Sequence, residues 1–157
     1  MKRWILCICI LATAASAAQA APSHASSRMR AYRGLMEVEI AGGAAHAVLD
    51  SLAAEAARAG YTQVSRDDEK LRMRWERTAT AEEVAPAGWT VEGTERRRLQ
   101  FEVVEAKNGG LKIAAATSLV SNPNAIDEKE KDVGKVQPFR DELMSMLDRV
   151  RGAFPRE

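Results

Sequence analysis

Thiols, histidines and aromatic rings are all scarce in this chain of 157 residues: two Cys, two His, three Trp, three Phe and two Tyr. Cys7 and Cys9 lie together in the apolar stretch near the N-terminus, so nothing beyond residue 9 can form a disulfide, a thiolate nucleophile or a cysteine metal site. Two histidines without a spaced His/carboxylate motif argue against a zinc or transition-metal centre, and no cofactor is implied. Gly-x-Ser-x-Gly, Ser-x-x-Lys and phosphate-cradling glycine loops are missing, since Gly42-Gly43 lacks the lysine or third glycine that would follow. The chain is therefore expected not to be an enzyme. Large apolar side chains are also in short supply. Of the 46% hydrophobic residues, 28 are alanine, which limits the core to modest size.

What the chain does carry begins with an address. Lys2 and Arg3 precede the run Trp4 to Ala18, 15 residues without a charge, and Ala18-Gln19-Ala20 offers small residues for cleavage. This is the pattern of a secretory signal peptide over residues 1–20, cut near Ala20-Ala21; the run is too short for a permanent anchor. Cys7 lacks the small residues that precede a lipidation cysteine. Removal of residues 1–20 leaves 21 basic against 22 acidic residues, a formal charge of −1, which argues against nucleic acid as a partner. With no Asn-x-Ser/Thr sequon, the expected location is a bacterial periplasm or the medium beyond it.

Residues 21–33 mix Ser, Ala, Pro and Arg without periodicity and read as a flexible leader, with a single domain expected over 34–154. Met36, Val38 and Ile40 alternate with glutamates, the period of a half-buried strand. From Ala44 to Ala59, Val48, Leu49, Leu52 and Ala56 recur at helical spacing, and Gly60 stops the helix. Tyr61 to Val64 resume in extended form. Leu71, Met73 and Trp75 alternate with Lys70, Arg72, Arg74 and Glu76; Leu99, Phe101 and Val103 form another inward face, and Leu111, Ile113 and Leu119 continue past the turn Asn108-Gly109-Gly110. A three-residue hairpin loop sets Phe101 opposite Thr117 and Leu99 opposite Leu119, keeping the odd-numbered apolar set on one face. Pro138 suits a first helical turn, and Val136, Phe139, Leu143, Met146, Leu147 and Val150 make the stripe of a docking helix. The order β-α-β-β-β-β-α predicts an α+β fold, with a mainly antiparallel sheet of about five strands and two helices packed on one face. Thr78 to Gly93 and Ser121 to Lys135 are expected as loops.

Few constellations point to chemistry. His46 and Asp50, four apart on the first helix, read as a surface polar pair rather than an acid–base couple, and His24 lies in the leader. Asp67-Asp68-Glu69 and Asp127 to Asp132 lack the spacing and glycine of a calcium loop. Lys70, Arg72, Arg74, Arg96 and Arg98 share even parity on two strands. They form a candidate stripe for an anionic partner such as lipid headgroups or wall polymers, unless they pair across strands with Glu37, Glu39, Glu76 and Glu102, the preferred reading. Leu71, Met73, Trp75 and Phe101 are expected as core rather than as the lining of an apolar cavity, with Trp89 anchoring its loop rather than gating a pocket. The expected role is a binding or accessory module for an envelope component or protein partner. The alternative is a carrier of a small apolar or lipidic ligand between sheet and helices.

Overall fold

The computed structural model describes residues 24–89 and 92–155. The expected signal peptide lies outside them, as does Val91 of the long loop. Among the described residues no helix is long and apolar enough to cross a membrane.

The alternating segments become antiparallel strands. A short helix α1 (Ser27–Arg30) leads into β1 (Met36–Ile40), then α2 (Ala45–Arg58), β2 (Thr62–Asp67) and β3 (Arg72–Thr78). A second short helix α3 (Ala81–Val84) with its following turn (Ala85–Ala87) precedes β4 (Arg96–Glu105), β5 (Leu111–Ser121), β6 (Lys129–Asp132) and the closing helix α4 (Gln137–Gly152). The strands lie in the order β1-β5-β4-β3-β2, and β6 shares with β1 the outer edge of β5. The fold is α+β, as the order of patterns predicts.

Gly60 ends α2 at φ +83°: its amide donates to the Ala57 carbonyl and that of Tyr61 to Ala56, the double closure that a left-handed residue permits. The turned chain then enters β2 at the far edge of the sheet from β1, so α2 must cross the whole sheet. Its buried Val48, Leu49, Leu52 and Ala56 meet Leu143, Met146, Leu147 and Val150 of α4 over one face. That face is supplied by Met36, Val38 and Ile40, by Met73 and Trp75, and by Leu99, Phe101 and Val103, all 7% exposed or less. These side chains fill the space between sheet and helices, as expected of a core.

The β4–β5 hairpin keeps the expected parity but slides by two residues. Phe101 faces Ala115 and Leu99 faces Thr117, not Thr117 and Leu119. The loop is Lys107-Asn108-Gly109: Gly109 takes the left-handed position at φ +79°, leaving Gly110 to pair back to Ala106. The slide seats the large Phe101 beside a small Ala115.

The second face of the sheet is covered as well, which the sequence does not announce. Residues 24–33, expected as part of a leader outside the domain, lie against it in the structure. Ala25 and Met29 are buried with Val104, Ala114 and Ala116, and Tyr32 and Leu35 pack alongside. Hence Ile113 to Val120 are buried without alternation. The loop regions also hold structure. Thr80 and Glu83 form a reciprocal capping box on α3, and the charge run of residues 127–132 contains β6. Gly34 and Gly134 meet where β1 and β6 abut, so closely that a Cβ on either would fall 2.5 Å from the other's backbone.

Candidate functional site

Three groups of charged side chains compete as a site, and their partners separate them. The first lies at the end of the helix-covered face, where Arg77 and Arg97 stand directly opposite each other on β3 and β4. Two like charges in register repel, and Glu83 from α3 resolves this by accepting from both: Arg77 at 2.5 and 2.8 Å, Arg97 at 2.9 Å. Arg97 also donates to Glu142, to Thr117 Oγ1 and to the Phe139 carbonyl, and its guanidinium lies 4.6 Å from the centre of the Phe139 ring. Burial pushes the Glu83 carboxyl up, but the bonds from Arg77, the Thr80 amide and Arg97 outweigh it and hold the group down at about 2. Burial is also what raises the nearby Tyr61 phenol. All three nitrogens of Arg97 are engaged. This is an ion network that fastens α3 and α4 to the sheet.

The second group is centred on Arg98, fully buried on the opposite face. Its Nε donates to Glu76 at 2.6 Å, and its Nη1 to Glu128 and Glu130 at 2.9 and 3.1 Å. Glu130 in turn accepts from Tyr32, Ser118 and Gln100, tying β6 and the N-terminal segment to β4 and β5. Burial and the adjacent Glu130 carboxylate push the Tyr32 phenol up to about 12. The Glu128 carboxyl is lowered by the Arg98 bond and then by the Asn124 amide. These charges also hold structure together.

The third group opens to solvent. α1 lies over β4 and β5 and leaves the same face of β2 and β3 bare, which makes a cleft of about 240 Å³ between α1 and β2. Arg28 comes from α1, Arg66 and Asp67 from β2, Arg72 and Arg74 from β3, and Glu102 from β4. Four cations thus face two carboxylates. Arg66 is spent on Asp50 and Asp68, both at 2.7 Å, and Arg72 donates to Asp67 at 3.2 Å. Arg74 is less committed: its Nε stands 3.9 Å from Glu76 and, though buried, has no hydrogen-bond partner. No carboxylate among the described residues lies within ion-pair distance of the Arg28 side chain. Two arginines with unspent donors lining one hollow suit an oxyanion, which the guanidinium fork binds through paired hydrogen bonds.

The five residues of the expected stripe are therefore dispersed. Arg72 and Arg74 line the cleft and Arg98 is buried in its own network. Lys70 sits on the β2–β3 turn against Asp67, and Arg96 donates to Thr78 at the other end of the strands. Cross-strand pairing holds for Glu76 with Arg98, whereas Glu37 meets Lys112 and Glu102 accepts from the Ser26 amide. His46 faces Asp68 at 3.9 Å and Asp50 faces Arg66, so these two do not pair with each other. Trp89 packs with Leu119, Val133 and Phe139, the anchoring role. Arg28 was hidden from sequence reasoning because it lies in an aperiodic segment, and Glu102, read as a cross-strand partner of the stripe, gave no sign that it would line the cleft.

Two further hollows offer less. One of about 340 Å³ by Glu39 and Asn108 has no cationic side chain in its wall. Another of about 330 Å³ beside Tyr32 has Arg28 in its wall, but Glu130 and Asp132 there are already engaged, the latter by the amides of Gly34 and Gly134. Among the described residues no three His, Cys, Asp or Glu side chains are grouped to hold a metal ion. No protein-family model matches the chain, and no curated protein matches it either.

Proposed function

We propose that this chain is an exported, non-enzymatic binding module of a bacterial envelope, and that its ligand presents an anionic group to the cleft between α1 and β2–β3. One observation carries the reading: Arg28 and Arg74 line the cleft without donating a side-chain hydrogen bond to any described residue, while its carboxylates are outnumbered. Size adds a limit. At about 240 Å³ the cleft falls below the roughly 300–1,000 Å³ of pockets that enclose a whole drug-sized molecule. It suits a small oxyanion or the charged end of something larger, such as an envelope polymer or headgroup. The N-terminal sequence supports the location, with Lys2-Arg3, the uncharged run and Ala18-Gln19-Ala20.

Titration calorimetry with inorganic phosphate and pyrophosphate tests this. Saturable binding is expected, weakened about tenfold or more in the double variant Arg28→Gln, Arg74→Gln and unchanged in Arg96→Gln, which lies away from the cleft. Absence of saturable binding, or equal loss in all variants, sinks the proposal.

A further inference from the structure

The cleft holds a second feature that an anion alone leaves unused. Glu102 is only 4% exposed as a residue, and its carboxylate is divided: Oε2 accepts from the Ser26 amide at 3.0 Å, whereas Oε1 has no donor among the described residues and keeps surface open to the cleft. Its register partner Arg72 does not serve it, because that guanidinium turns to Asp67. Open to the cleft, that oxygen accepts from water there, and a ligand ammonium can replace the water with a charge-assisted bond. Arg74 pairs with Gln100 and Arg72 with Glu102, so Arg74 and Glu102 are diagonal neighbours, with roughly 7–8 Å between such positions. A cationic and an anionic anchor thus stand side by side in one small hollow.

Resting on the anion reading, we infer that the ligand is a zwitterion. Its oxyanion meets Arg28 and Arg74, and an ammonium a short spacer away donates to Glu102. The chemistry is that of a phosphorylated amino alcohol, free in solution or carried as a lipid headgroup. Opposite charges on one ligand also explain why the site keeps Glu102 beside its arginines, where it would repel a simple anion.

The test compares phosphoethanolamine with ethyl phosphate, which lacks only the ammonium. Calorimetry of the unaltered protein should show phosphoethanolamine binding at least about tenfold more tightly. Glu102→Gln should abolish that preference while retaining ethyl phosphate. Gln keeps an acceptor for the Ser26 amide, and an unchanged thermal midpoint verifies the fold. Equal affinity of the unaltered protein for both ligands overturns the zwitterion and leaves the anion site standing. Binding of neither overturns both. Sedimentation with phosphatidylethanolamine vesicles then separates the sources. Co-sedimentation assigns a lipid headgroup, and tight soluble binding without it assigns a free small molecule, both in accord with the inference.

Discussion

Replacing Glu83 by Gln removes one charge from the network that binds α3 and α4 to the sheet and leaves its volume almost unchanged. In the folded protein this carboxyl is held at about 2 against an ordinary 4.5, and its side chain is 15% exposed. Holding the group that far below its ordinary value corresponds to about 3 kcal/mol of stability at neutral pH. Because the folded value is lowered, that contribution is complete above about pH 4.5 and is lost as the pH falls toward 2. Urea unfolding followed by circular dichroism at several pH values reads the difference directly. Wild type should exceed Glu83→Gln by about 3 kcal/mol near pH 7, and the gap should close by about 1.4 kcal/mol per pH unit below pH 4.5. A gap that stays constant with pH would refute the reasoning, since the loss would then come from packing or from the Thr80 cap and not from charge.

Gly134→Ala should destabilise the fold by about 1–3 kcal/mol in the same assay, because its Cβ would lie 2.5 Å from the Gly34 carbonyl where β1 and β6 abut. A variant as stable as wild type would mean that the two backbones separate freely. Arg98→Gln strips the cation from Glu76, Glu128 and Glu130, and the removal of one partner from a buried charge cluster costs about 3–5 kcal/mol. Hydrogen exchange should show the amides of residues 122–132 losing protection before those of β3 and β4. Uniform loss across the sheet would contradict the role given to Arg98 in fastening that segment.

The helix-covered face was open to sequence reading because one period governed each element. Met36, Val38 and Ile40, then Leu71, Met73 and Trp75, and both helical stripes all reach the core where alternation or helical spacing puts them. Parity did not fix the hairpin register, since a slide of two residues keeps every side chain on its face. The second face was illegible for a different reason. Its cover is held by Ala25, Met29 and the Ser26 amide, contacts that leave no periodic trace. Buried charges were the other gap. Arg97 has the same parity as Leu99 and Phe101, which placed it inward, and Thr80-x-x-Glu83 is a capping signature that locates its partner. Across β6 and the residue before it, acids at 128, 130 and 132 alternate with lysines at 129 and 131, a period of two in the sign of charge. Glu128 and Glu130 reach Arg98, while Lys131 points to the Ala87 carbonyl. The cleft depends on where α1 stops covering the sheet, a matter of tertiary placement that no local pattern carries.

Arginine-selective NMR of the isotope-labelled protein, titrated with phosphoethanolamine, tests the ligand site most directly because each Nε–H reports its own surroundings. The Arg74 Nε–H, buried and without a partner, should shift saturably together with that of Arg28, while Arg97 and Arg98, held in their networks, should stay in place. No movement at Arg74, or an unsaturating drift shared by all exposed arginines, would contradict the account.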